Sequence, residues 1–169
     1  GSTVNPSSGN LTLDASGSGV SESRGTFYYS FDYYYEVTVD SYSGTGICHV
    51  GIGSNNNPSI NSGGGTYVSY SNAGNKNLSG TQTAYGATYT AGDVIGVAVN
   101  ATQATFYKNN SSQGALTHSI AAPVPEALSY YNAGGCKMTA NFGQGGQSGL
   151  TYDSASGGYF TYTPPSGFK

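Results

Sequence analysis

Apolar and polar positions alternate with period two along much of the chain. In Tyr33–Asp40, the residues Tyr35, Val37 and Val39 alternate with Glu36, Thr38 and Asp40. This predicts a half-buried strand with its carboxylates on the solvated face. Ile47–Ile52 and Tyr67–Tyr70 carry shorter versions of the pattern. Val94–Val99 differs in being apolar throughout. Its Ile95, Val97 and Val99 would line one face and Val94, Gly96 and Ala98 the other, so both faces are expected to be buried. The turn residues Ala91-Gly92-Asp93 precede it, and Asn100–Gln103 links it to Ala104–Lys108, so the pair reads as a β-hairpin. Asn109-Asn110 marks the next turn, since asparagine tolerates the left-handed conformation. Further strands are predicted at Ala127–Tyr131, Lys137–Phe142 and Tyr159–Thr163. Helical periodicity is nearly absent, and its best window, Ala121–Leu128, is broken by Pro123 and Pro125. The pattern predicts an all-β, two-sheet antiparallel β-sandwich over residues 1–169 with almost no helix, and the Phe168 end is expected to fold back onto the body.

Composition refines this picture. Gly, Ser, Thr and Asn make up about half of the 169 residues, and aliphatic residues are scarce. Such a bias suggests disorder when net charge is high, but here 5 basic and 8 acidic residues leave a net charge of −3. The 16 tyrosines supply the missing apolar surface. Alternation sends about half of them inward, and with aliphatic residues scarce about two thirds are expected in the core. No run reaches the ~20 apolar residues of a spanning helix, which excludes membrane insertion of that kind. Arg24, Lys76, Lys108, Lys137 and Lys169 are too dispersed for a phosphate-binding stripe, so nucleic acid is not an expected partner. Cys48 and Cys136 lack zinc spacing. They read most simply as two small buried thiols, with pairing in an oxidising setting as the alternative. Gly1-Ser2 reads as a cloning scar, and the chain as part of a longer protein.

Candidate chemistry is sparse. No pair among Glu22, Asp32, Glu36 and Asp153 forms a glycosidase motif, although two could converge in space. Asp93 sits in a tight turn, where it would accept backbone hydrogen bonds. His49 and His118 belong to no metal-binding pattern, and Asn55-Asn56-Asn57 has no carboxylate beside it to hold calcium. Gly143–Gly149 lacks the Lys-Ser/Thr of a phosphate loop and reads as a plain loop. The expectation is no catalytic residue, no metal and no cofactor. Exposed aromatic and amide side chains in loops are the better candidates for binding, since tyrosine offers a rigid ring with a polar tip. These are Tyr28, Tyr29, Asn55, Asn56, Asn57, Tyr70 and Tyr85.

The order of motifs resembles that of SPRY (B30.2-like) domains, whose sandwich is of the jelly-roll type. Tyr34-Tyr35-Glu36-Val37-Thr38-Val39 is similar to the family's aromatic-Glu-Val strand, and His49–Gly53 to its "VGI" strand. Gly92–Asn100 followed by Ala104–Gly114 resembles the central hairpin, and Ala140–Gln144 the closing "NFG" strand. The chain departs from the family in Asn100 where Asp is usual, in Asn110 where Gly is usual, and in having no tryptophan. The ending Tyr162–Lys169 resembles the "YTPP-GFK" tail found after such domains in bacteriophage virion proteins. The resemblance implies a recognition scaffold rather than an enzyme, exposed on a virion surface. Its implied partners are a host cell-surface glycan or protein, or other virion proteins if the role is purely architectural.

Overall fold

A computed structural model describes residues 3–4, 12–16, 19–25, 32–43, 46–54, 66–131, 135–145 and 149–169. Fifteen strands run in the order β1 (Thr3–Val4), β2 (Thr12–Ser16), β3 (Gly19–Arg24), β4 (Tyr33–Tyr42), β5 (Ile47–Ser54), β6 (Tyr67–Ser71), β7 (Asn75–Leu78), β8 (Thr81–Ala84), β9 (Val94–Val99), β10 (Gln103–Lys108), β11 (Ser111–Thr117), β12 (Pro123–Tyr131), β13 (Cys136–Asn141), β14 (Thr151–Asp153) and β15 (Gly158–Phe160). They form a sheet ordered β1-β2-β13-β4-β9-β10-β11, a second ordered β3-β12-β5-β6-β7-β8, and a small β14-β15 hairpin. All of the strand pairings within these sheets are antiparallel, and no helix occurs among the described residues.

The core follows from strand parity. Tyr33, Tyr35, Val37 and Val39 of β4 and Ile95, Val97 and Val99 of β9 face Cys48, Val50, Ile52, Val68 and Tyr70 of the second sheet. All six residues of β9 are buried, as its unbroken apolar run predicts. Tyrosine can serve in this core because each buried hydroxyl meets a carbonyl. Tyr35 donates to Gly51 O across the sandwich, Tyr33 to Pro123 O at 3.0 Å, and Tyr89 to Cys48 O at 2.8 Å and Tyr70 O at 2.9 Å. Satisfied in this way, the rings bury apolar area without an orphaned donor. Burial keeps Tyr35 and Tyr89 well above the ordinary tyrosine pKa.

The turns are built as their residues predict. Asn109 and Asn110 adopt φ of 47° and 68°, and Asn109 Oδ1 accepts the Val94 N–H at 2.9 Å. Asp93 accepts the Thr90 N–H at 2.8 Å and pairs with Lys108 at 3.2 Å. Asn100 caps its own turn, with Oδ1 accepting from Thr102 N at 2.9 Å and Gln103 N at 2.8 Å, a task an aspartate would perform equally.

Two readings of the sequence are corrected. Cys48 and Cys136 are not free thiols but form a disulfide joining β5 of one sheet to β13 of the other, with Cα atoms 6.0 Å apart. The prolines do exclude a helix over 121–128, and the strand predicted at Ala127–Tyr131 begins earlier, at Pro123. Pro123 and Pro125 lie beyond the last pairing of β12 with β3, and Pro125 O still accepts the Gly25 N–H at 2.9 Å, so their missing N–H groups cost little. Glu36 is not on a solvated face. It is 1% exposed, because the C-terminal segment lies over the outer face of β4. Its Oε1 accepts from Tyr162 N at 2.9 Å and Tyr34 Oη at 3.2 Å, and its Oε2 from Thr161 N at 2.8 Å and Asn141 Nδ2 at 3.3 Å. Asp40, on the same face, is exposed as expected.

The predicted return of the Phe168 end is present. Tyr34 N donates to Lys169 O at 2.8 Å, and Phe168 packs with Tyr34, Ala98, Tyr107 and Phe160 in a second apolar cluster. Gly96 gives room for this layer, since a methyl there would run into the Tyr34 hydroxyl. The strand predicted at Tyr159–Thr163 is limited to Gly158–Phe160, where the chain turns to reach Glu36.

Candidate functional site

The register places several chain connections at one end of the sandwich. Arg24 closes β3 opposite Glu126, and Ser54 closes β5 opposite Pro123, so both strands end at the same edge of the second sheet. In the first sheet, Tyr33 opens β4 opposite Val99, and the Asn100–Gln103 turn follows. The Tyr33 hydroxyl bonds to Pro123 O, which ties the two sheets together at this end. The connection carrying Tyr28 and Tyr29 therefore leaves β3, and the one carrying Asn55, Asn56 and Asn57 leaves β5, from a shared edge. Those five side chains lie outside the described residues.

The other two candidates are described, and neither is a free loop side chain. Tyr70 sits in β6 with the parity of Val68, and it is 0% exposed. Its hydroxyl donates to Ala87 O, and its ring meets Tyr85, Tyr89 and Phe106 edge-on at 5.4, 5.0 and 5.9 Å. Burial pushes its pKa up to about 12. Tyr85 follows β8, is half-buried against the same ring, and donates to Gly114 O. Both are core residues, as the alternation in Tyr67–Tyr70 already implied for Tyr70.

The outer face of the second sheet holds an unforeseen group of buried polar residues. His49 Nδ1 lies 3.1 Å from Ser69 Oγ, and burial lowers the histidine pKa to about 4, so the imidazole is neutral. Beyond Gly51, the Glu126 carboxylate lies over Gly53, where a Cβ would collide with it. Its Oε1 is 3.2 Å from Arg24 Nε. Burial, reinforced by the charge of Glu22 and opposed by Arg24, raises the Glu126 pKa to about 7. A serine beside a neutral histidine is the start of a nucleophile–base pair. Ser69 is fully buried, however, and in this conformation its hydroxyl meets no solvent. Among the described residues, no group of three or more His, Cys, Asp or Glu side chains could hold a metal ion, and no helix is long and apolar enough to cross a membrane.

The large hydrophobic side chains that are exposed among the described residues are Tyr152 and Tyr159, at 54% and 45%. They face each other across β14 and β15, with ring centroids 5.0 Å apart. This pair lies outside the loop residues that the sequence pattern singles out for binding. The signal was there in Tyr152-Asp153 and Gly158-Tyr159 flanking a Ser-Ala-Ser-Gly turn.

No curated protein matches the chain in sequence. Among solved structures, the SPRY domain of human HERC1 is similar with a TM-score of 0.68 and 20% identity, covering 82% of this chain and 91% of that one. A second human SPRY domain gives 0.59 and 20%, covering 85% and 96%. Stonustoxin gives 0.60 and 13%, covering 82% of this chain but 26% of its own. The sequence profile of the SPRY domain matches residues 32–145, from the start of β4 to just past β13. With the profile spanning the strands that build both faces of the core, the chain belongs to the SPRY domain family.

Proposed function

We propose that this domain is a non-catalytic recognition module on the surface of a bacteriophage virion, where it engages a host cell-surface glycan or protein. SPRY domains are in general protein-interaction modules, and this chain has the family's sandwich. The observation that carries the reading is where the polar chemistry goes. Glu36, Glu126, His49 and Asp93 are all spent on internal contacts. A domain that internalises its reactive groups and carries a net charge of −3 recognises partners through short-range contact, with little electrostatic steering. The Cys48–Cys136 disulfide suits an oxidising, extracellular setting. The virion context rests on the Tyr162–Lys169 ending, which the fold uses as an integral part of its outer layer.

The contact surface in this reading is the sandwich end where β3 and β5 terminate, with Tyr28, Tyr29 and Asn55–Asn57 as its side chains. A multimerised domain should label host cells, and Tyr28→Ala with Tyr29→Ala should weaken labelling while leaving the melting temperature unchanged. Multimers that ignore host cells but rebind stripped particles would overturn adhesion in favour of an architectural role.

A further inference from the structure

We propose that Tyr152 and Tyr159 form a second binding site, a stacking platform for a neutral saccharide, on the C-terminal hairpin outside the stretch that matches the family profile. The site rests on the adhesion reading for its biological use but not for its chemistry.

The hairpin holds the two rings in place before any ligand arrives. Tyr152 and Tyr159 are directly paired in register. The turn between them is fixed by Asp153, whose Oδ2 accepts Ser156 N at 2.7 Å and whose carbonyl accepts Gly157 N at 2.8 Å. The Tyr159 backbone is anchored on both sides. Its N–H donates to Gly143 O at 3.1 Å, and its carbonyl accepts Asn141 Nδ2 at 2.9 Å. The Tyr159 ring lies close over Gly145, where a Cβ would sit 3.0 Å from Cδ2, and this glycine has a φ of +68°. Phe160, next in sequence, is buried against Tyr34 at 5.2 Å and prevents the strand from rolling. Rings immobilised in advance lose little entropy on binding.

Size and charge select the ligand class. At about half exposure each, the two rings offer roughly 200 Å². A stable protein partner would need about 800 Å² on this side, whereas the apolar face of one or two sugar rings fits the smaller area. Ser154, with the parity of Tyr152, and Gln144, bridged to Tyr159, are exposed, uncharged hydrogen-bonding groups. The one carboxylate, Asp153, is turned into its own turn. The hairpin has no cationic side chain to draw an anionic ligand, while hydroxyl-rich, uncharged rings find both a stacking face and hydrogen-bond partners.

The test uses the full chain with 13C-labelled tyrosine. It is titrated with neutral oligosaccharides, as glucan, galactan and N-acetylglucosamine oligomers, and with polysaccharide from the host surface. The expected result is saturable shifts confined to the Tyr152 and Tyr159 ring signals with at least one probe. These shifts should be unaffected by salt and abolished at either position by Tyr→Ala. Both rings are about half exposed, so the variants should stay folded and melt within a few degrees of wild type. In the multimer assay, Tyr152→Ala with Tyr159→Ala should reduce host-cell labelling about tenfold or more. Absence of ring shifts with every probe overturns the site. Undiminished labelling by the double variant also overturns it and leaves adhesion standing. Ring shifts in a domain that labels no cells uphold the site and overturn the adhesion reading.

Discussion

Glu36 offers a direct test of how the C-terminal segment is held. Its carboxylate receives two short backbone N–H bonds, from Thr161 at 2.8 Å and Tyr162 at 2.9 Å, and two longer ones from Tyr34 and Asn141. A hydrogen bond to a charged group contributes about 1.5–3 kcal/mol, so the two short bonds together are worth about 3–6 kcal/mol. Two effects reduce the net loss on substitution. Removing the buried carboxylate relieves its desolvation, and the segment can swing out so that its N–H groups reach water. Glu36→Ala should therefore destabilise the fold by about 3–4 kcal/mol, and Glu36→Gln, which keeps one acceptor oxygen, by about 2–3 kcal/mol. For a chain of this length, the alanine variant should melt lower by about 6–15 °C. Urea unfolding gives the free energies, and amide hydrogen exchange locates them. Thr161, Tyr162 and Tyr34, whose N–H donates to Lys169 O, should lose protection before the core strands do. If both variants stay within about 0.5 kcal/mol of wild type with these amides unchanged, the carboxylate does not hold the segment and the reasoning fails.

Three further outcomes are expected. Glu126 has its pKa raised from 4.5 to about 7, so the folded state binds a proton that the unfolded state has released, and stability should fall as pH rises through that window; Glu126→Gln should flatten this slope in a series of melting curves at different pH. The Cys48–Cys136 bridge spans a sequence separation of 88, and replacing both cysteines with serine should cost on the order of 4–5 kcal/mol by loop entropy, measured by urea unfolding. Gly51→Ala would drive a methyl into Val68 O and the Ser69 backbone, so the variant should fail to fold or lose more than about 3 kcal/mol, whereas Gly80→Ala, with open space around it but a φ of +95°, should lose only about 1 kcal/mol in the same assay.

What the sequence made legible was whatever depends on neighbours close in the chain. The period-two runs located β4, β5 and β6, and the unbroken apolar run of Val94–Val99 announced β9 as a strand buried on both faces. Asp93, Asn100 and Asn109 signalled their turns because each side chain bonds to backbone within a few residues or across the hairpin it closes. Contacts made over long separations left no such trace. Glu36 alternates with Tyr35 and Val37 just as a solvated glutamate would, and its backbone donors lie 125 and 126 residues away. The disulfide joins cysteines on opposite sheets, a relation that exists only once the sandwich closes. Glu126 and His49 were unreadable for a related reason: both lie on the outer face of a sheet, where alternation predicts solvent, yet both are buried.

Both outer faces of the sandwich thus bury polar groups, His49, Ser69 and Glu126 on one and Glu36 on the other. Over Glu36 the covering layer is the segment after residue 145, outside the matched profile. The profile ends just past β13, but the fold does not, since Glu36 inside the profile takes its two shortest hydrogen bonds from Thr161 and Tyr162 beyond it. The same segment that completes this face then presents the exposed pair Tyr152 and Tyr159 on a hairpin whose partner side, through Phe160, is locked into the layer. A binding site attached in this way can change its ligand by changing two outward side chains, while the inward ones keep the domain folded. That separation gives the Glu36 and Tyr152/Tyr159 substitutions different signatures: the first should lower stability markedly, and the second should remove binding with only a small change in stability.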